Sequence, residues 1–542
     1  MSKVSTRNLR LLAIILFTFP LLLNAQIQIP NTPQAQRYKD LIVADVPVAQ
    51  MPTIDLDELQ KEDEEDEAAG LPPRFGKRFN VDLNLGNSGR WDNLPNGGRI
   101  WRLAIESQDA ISLNLTYSDF FMPKGAQMFI FTEDFSQILG AFSPANNKPD
   151  GKFATNLIFD QKIIIGYYEP RASRGQGRIA IDGVVHGYRN INVPEFDKSK
   201  FNLVQEEGNT FTDILCANEN WEEQIRSVSV AIVGGGNRWC TGALVANTMR
   251  DERLLFLTAN NCLAGLDDTT EAFDAISNPE LPYWIFQWNY QKNLCNGSIP
   301  NINSSTTGAR VLANSAPNAE LDGSNFALVE LTENPVRAGF DVFFSGWDAT
   351  GDTPQASTSI HHPNGAPKKI STNNSPLSSS TTNEVEGGSD SETTHWKVAN
   401  WNQGEIDNAS KGAPLFDPTT QNIIGQFSGI SNDEQSDHFG QLAYSWLNNN
   451  ASDQRRRLRD WLDPMNSGVM KFNGVPENND CSNPEMITCD ATVAGDNNNG
   501  LANNFTNYSG LIQPQLAKEY IYSFIPNTTG LITLPPINWT AK

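Results

Sequence analysis

The stretch that most limits how this chain can fold runs from Cys240 to Cys262, reading C-T-G-A-L-V-A-N-T-M-R-D-E-R-L-L-F-L-T-A-N-N-C. Two short apolar runs, Gly242 to Val245 and Leu254 to Ala259, flank the charged Arg250-Asp251-Glu252-Arg253. Apolar runs of this length on either side of a polar turn read as two strands, a hairpin with a cysteine at each end.

At 542 residues the chain has room for several domains, and 39% hydrophobic residues with 12 Trp and 28 Phe supply ample core. A net charge of -23 argues against nucleic acid and anionic membrane surfaces as partners. Residues 1–25 carry Lys3, Arg7 and Arg10 ahead of an apolar run from Leu11 to Leu23 and the small Ala25, the pattern of a secretory signal. That run is too short for a membrane span, and no second long apolar run follows, so the mature chain is expected to have no transmembrane segment. Export makes oxidised cysteines the expectation. Residues 26–70 read as an acidic linker or pro-segment, because the block from Asp55 to Glu67 is mostly acidic and like charges resist burial. Across 71–205, apolar runs such as Trp101 to Ile105, Ile111 to Leu115, Met128 to Phe131 and Ile163 to Tyr168 alternate with turn signals, the rhythm of a β-sandwich. His186 there reads as a structural residue.

Over 206–474 the motifs follow one order. After the cysteine hairpin come W-N-Y-Q-K-N-L-C at Trp288 to Cys295, S-N-F-A-L-V-E-L at Ser324 to Leu331, and I-H-H-P-N-G-A-P-K-K-I-S at Ile360 to Ser371. Then come N-A-S-K-G-A-P-L-F-D at Asn408 to Asp417, I-I-G-Q-F-S-G at Ile423 to Gly429, and S-D-H-F-G from Ser436. This series resembles the lysyl endopeptidase type of trypsin-like serine protease. The resemblance implies a mainly β, chymotrypsin/trypsin-like pair of six-stranded barrels with a cleft between them, preceded by the β-rich pro-region. It implies the disulfides Cys216–Cys295 and Cys240–Cys262; a third family bridge lacks both of its cysteines here. A short helix is expected to close the domain, capped by Ser452, with Leu458, Trp461 and Leu462 on its apolar face and Pro464 stopping it.

At the chemistry the match breaks. Peptide hydrolysis on this fold needs a serine nucleophile, a histidine base and an aspartate that orients the imidazole. The resemblance aligns Asn261 with the histidine, Asn325 with the aspartate and Lys411 with the serine. Ala409 stands where a glycine N–H helps form the oxyanion hole, whose other N–H would come from Lys411. An amide cannot take a proton near neutral pH, so no intact catalytic residue is expected. Asp437 aligns with the acid that lines the family's lysine pocket, while Ser428 stands where the family has a pocket histidine. Asp437 is open to a second reading as one more exposed acid of the loop Asp433 to Ser436. Ser410 beside Lys411 and the pair His361-His362 offer no expected rescue and no metal site, and no cofactor is implied.

Residues 475–542 change character. C-S-N-P-E-M-I-T-C followed by K-E-Y-I-Y-S-F-I-P-N-T-T-G resembles the opening of the bacterial pre-peptidase C-terminal domain, a β-sandwich, with Cys481 and Cys489 expected to pair. The pattern reaches Lys542 before such a sandwich closes, so more chain is expected. The sequence thus points to a secreted, catalytically inactive protease homologue that binds peptides or proteins carrying Lys or Arg. An active endopeptidase cutting after Lys or Arg, and a structural or adhesive surface protein, are the alternatives.

Overall fold

The computed structural model describes residues 45–189 and most of 211–476, apart from 218–220, 252, 264–278, 296, 298–303, 316–322, 337, 382–383, 386–391, 432–435 and 448–451, with one further pair of short strands, 485–486 against 522–523. The signal reading of 1–25 and the pairing of Cys481 with Cys489 lie outside the described residues.

Residues 45–189 include two sheets over one core. One is six-stranded, in the order Val48–Gln50, Arg99–Glu106, Lys162–Glu169, Gln127–Thr132, Ile138–Phe142, with Arg90–Asn93 on the side of the second strand; the other is four-stranded, Gly76–Asn84, Arg178–Gly187, Ser112–Phe121, Phe153–Ala154. Alternation decides which side chains meet: Trp101, Leu103 and Ile105 point inward against Leu113, Leu115 and Tyr117 of the other sheet, while Ile100 and Ala104 face outward into a second cluster. His186 is buried, and its Nδ1 lies 2.7 Å from the Ser107 hydroxyl.

The acidic block is no linker: residues Leu56–Ala68 form a helix. Asp55 caps it by accepting from the Asp57 and Glu58 amides, and those two acids lie at the positive end of the helix dipole. Repulsion along the block is answered from elsewhere. Asp63 is 1% exposed, accepting from Arg74 Nε at 2.8 Å and from the Tyr188 hydroxyl, with Arg189 Nε at 3.2 Å. Glu62 pairs with Arg74, Glu67 with Arg189 and Asp66 with Arg238. A charge count along the chain cannot see bases supplied by other strands.

The first protease-like barrel is a seven-stranded sheet, Ser305–Thr307, Ile285–Gln287, Val228–Val233, Arg238–Leu244, Leu255–Ala259, Phe326–Leu331, Ala309–Asn314. Its two end strands are halves of one segment bent at Gly308, so the seven strands amount to six segments and the sheet closes on itself. The second barrel belongs to a ten-stranded sheet that includes Ser357–His361, Lys369–Asn373, Pro414–Phe416, Ile423–Ile430, Asp437–Gln441 and Thr393–Val398. Two-residue strands such as Thr212–Asp213 and Lys471–Phe472 extend it past the expected six. Cys216–Cys295 and Cys240–Cys262 are both disulfides. At the end of the domain the expected helix is two short pieces: a turn, Gln454–Arg456, capped by Asp453 (which accepts from the Arg455 amide) rather than Ser452, and the helix Arg459–Leu462, which has no side-chain cap; Leu458 and Leu462 are fully buried. No helix among the described residues is long and apolar enough to cross a membrane.

Candidate functional site

The cysteine hairpin builds one wall of the site. Strand Arg238–Leu244 pairs with Leu255–Ala259, which runs directly into the turn Asn260–Leu263; Cys262 in that turn is tied back to Cys240. The turn therefore cannot drift, and Asn261 is held at the end of the strand, 1% exposed.

Asn325 reaches it from the neighbouring strand. Its carbonyl accepts from the Asn260 amide at 2.9 Å, and its Oδ1 accepts from the Asn261 amide at 3.2 Å. A φ of +52° places Asn325 in the left-handed region, which asparagine tolerates better than most residues. Its Nδ2 donates to the Ser428 hydroxyl at 2.8 Å.

Lys411 follows the turn Asn408–Ser410 and donates from Nζ to the Ser428 carbonyl at 3.2 Å. The Lys411 carbonyl accepts from the Thr241 amide at 2.8 Å, so the segment is stitched to the hairpin. Gly412 makes that approach possible: with φ +86°, a Cβ there would sit 2.1 Å from Thr258 Oγ1 and 2.3 Å from the Thr241 carbonyl. Asn261, Asn325 and Lys411 thus converge, the last two on Ser428. They bring together two amides and an amine, a set that can donate and accept hydrogen bonds but holds no imidazole. Of the two expected backbone donors, the Lys411 amide donates to the Asn408 carbonyl at 3.4 Å, and the Ser410 amide beside it to that of Asp407 at 2.9 Å. Ala409 is 1% exposed within the same turn.

An imidazole does meet a hydroxyl one residue away. His361 Nδ1 lies 2.9 Å from Ser410 Oγ, and His361 Nε2 lies 3.1 Å from Ser371 Oγ, which donates to the Glu405 carbonyl. Each hydroxyl also has a second acceptor, Ser371 the Glu405 carbonyl and Ser410 the Asp407 carboxylate, so these contacts do not assign the ring proton; either tautomer sets an imidazole nitrogen against a hydroxyl. Yet Ser410 and His361 are each 0% exposed, and burial with the nearby Lys369 charge pushes the imidazole down to about 3. The hydroxyl is also 3.2 Å from Asp407 Oδ1. The contact is a buried polar network of the second barrel.

Asp437 begins the strand Asp437–Gln441, half-buried, accepting from Trp401 Nε1 at 2.5 Å. Loss of water around the carboxyl, with the Glu405 charge adding to it, pushes Asp437 up to about 7 against the pull of the Trp401 hydrogen bond. No cation pairs with it among the described residues. The Ser428 hydroxyl accepts from Asn325, and the Asp437 carboxyl accepts from Trp401.

Residues 204–440 match the family model for the lysyl endopeptidase C-terminal domain. They form a domain of the trypsin-like serine protease family. Among solved structures, the M. tuberculosis protease Rv3671c in its inactive form aligns at 10% identity over 44% of this chain and 94% of its own, TM-score 0.28. The Vibrio cholerae VesB protease aligns at 13% over 45% and 65%, TM-score 0.29, and a Glu endopeptidase at 15% over 44% and 93%, TM-score 0.26.

What sequence reading missed in this lysyl endopeptidase-like domain is what lies against it. The helix Leu56–Ala68 ends at Gly70, φ +75°, whose amide bonds to the Glu67 carbonyl while the Leu71 amide bonds to that of Asp66. This turn aims the Gly70 carbonyl at Asn261, which donates to it from Nδ2 at 2.8 Å. The signal was present: an Asp cap at residue 55, Gly70 past the last turn and Pro72-Pro73 beyond it are the marks of a helix and its stop.

Proposed function

We propose that this chain is an exported, catalytically silent member of the family that binds extended peptides or protein segments, with the Asp437 carboxyl receiving a Lys or Arg side chain. The observation that carries the reading is the amide of Asn261, fixed by the disulfide at the end of the hairpin. A carboxamide there holds Gly70 by donation but cannot cycle a proton. Losing the serine or the histidine of a triad costs about a million-fold in turnover, and the losses overlap. What survives in such enzymes comes from the oxyanion hole and binding, and the Lys411 amide is turned to its own backbone. For Asp437, a half-buried acid pushed up to about 7 with no cation paired to it among the described residues gains most from a cation. Export rests on the N-terminal pattern of residues 1–25 and agrees with the two disulfides.

The test uses the purified full chain, a lysyl chromogenic peptide and a fluorophosphonate. Neither turnover nor labelling is expected. The second reading, an active endopeptidase, draws on the 2.9 Å contact of Ser410 with His361; fluorophosphonate attached to Ser410, or turnover lost in Ser410→Ala, would establish it in place of the first.

A further inference from the structure

We infer that residues 66–75 are a built-in occupant of the peptide groove, closing it to other extended segments until they are displaced. This rests on the peptide-binding reading above and adds how that site is regulated. The strand Arg238–Leu244 has an edge beside the site, and the chain's own segment pairs with it. Trp239 donates its amide to the Pro73 carbonyl at 3.1 Å, Phe75 donates to the Asn237 carbonyl at 2.9 Å, and Arg74 and Arg238 form an antiparallel bridge. Such main-chain bonds are indifferent to sequence, so the edge that accepts residues 73–75 would accept any extended peptide offering the same groups. Two consecutive prolines suit this occupant: having no N–H, Pro72 and Pro73 present only carbonyls, and Arg238 Nη1 takes that of Pro72 at 2.7 Å.

Side chains fix the register. The Phe75 ring stacks on Trp239 with centroids 4.4 Å apart, and Asp66 pairs with Arg238. Gly70 claims the Asn261 amide group, so the segment engages both the strand edge and the position that a bound peptide would approach. The two ends are held differently. Phe75 belongs to a core shared by the pro-region and the first barrel, with Leu157, Phe159 and Val185 against Val230 and Ile285. Residues 66–73 meet the barrel through the Asp66–Arg238 pair and three carbonyl contacts, while Glu67–Arg189 ties them to the pro-region, which makes the barrel side of the segment the part that can let go while the pro-region stays docked. At Asp437 no residue of this segment supplies a cation, so the occupant covers the edge and leaves the acid unfilled.

The test compares the full chain with Asp66→Lys/Pro72→Gly/Pro73→Gly, which sets like charge against Arg238 and loosens the strand. The readouts are hydrogen exchange at the Trp239 amide and binding of a fluorescein-labelled Ala-Ala-Lys-Ala-Ala-Ala peptide. The Trp239 amide is expected to be protected in the wild type and to exchange faster in the variant, with the peptide bound at least tenfold more tightly. Faster exchange with wild-type and variant binding the peptide equally overturns the inference and leaves the peptide-binding reading standing. Faster exchange with no binding to either form overturns that reading and the inference with it. A Trp239 amide unprotected in the wild type, or unmoved in the variant, also overturns the inference. Should the triple variant fail to fold, Asp66→Lys alone is read by the same criteria.

Discussion

Asp437 is where one residue's environment sets a measurable pH dependence. A carboxyl titrating near 7 is mostly neutral at pH 5.5 and mostly charged at pH 8.5, while a peptide lysine stays charged throughout. Binding of a lysyl peptide is therefore expected to strengthen roughly tenfold from pH 5.5 to 8.5, the order of one charge-assisted hydrogen bond. Asp437→Asn should bind weakly and flatly with pH, as fluorescence anisotropy on the cover-loosened chain would show; an unchanged pH profile would remove Asp437 from the site. Without a ligand the sign for stability is the reverse. The folded state keeps the proton more tightly than the unfolded chain, whose carboxyl titrates near its ordinary 3.8. Stability from this group is thus present below about 4 and is lost as pH rises toward 7.

The helix Leu56–Ala68 shows how an element opposed by its own composition is stabilised by its neighbours. Asp63 lies under Arg74, Arg189 and Tyr188, and the Tyr188 hydroxyl is held above its ordinary range chiefly by burial, then by its bond to Asp63. Removing one partner of such a buried set leaves the others charged and desolvated, which costs about 3–5 kcal/mol. Asp63→Ala should therefore lower the urea-unfolding free energy by about 3 kcal/mol. Glu64→Ala, an exposed acid in the same helix, should change it by less than about 0.5 kcal/mol. Equal effects would mean that the acids act only through net charge. The helix also works at a distance from its own fold: its Gly70 stop determines where the following residues cross the barrel edge.

At the scale of the whole molecule, residues 45–189 and the protease-like domain share a core, and the surroundings of Asn261 are completed by residues far apart in the chain. If the groove keeps its geometry, Asn261→His/Asn325→Asp/Lys411→Ser/Ala409→Gly should become labelled by fluorophosphonate at position 411, above a wild-type background of none. A folded variant that stays unlabelled would show that the turn Asn408–Ser410 no longer presents that position. Much of this architecture was legible beforehand. The cysteine hairpin, the alternating strands and the ordered motifs carry local information: each apolar run states its own period, and Cys262 fixes the register of Asn261 to within one residue. The helix at 56–68 was misread because its neutralising bases, Arg74, Arg189 and Arg238, lie on other strands. Likewise the Ser428 hydroxyl meets Asn325 at a bulge in the strand pairing, which spacing along the chain does not reveal. By itself the sequence determined the strands, the disulfide-framed hairpin and the absence of a proton carrier at residue 261, since these depend on residue identity and short-range pattern. Only the tertiary structure decided which acids are buried and which segment lies against Asn261 and the strand Arg238–Leu244, because charge compensation and edge pairing depend on which distant segments the fold brings within a few ångströms.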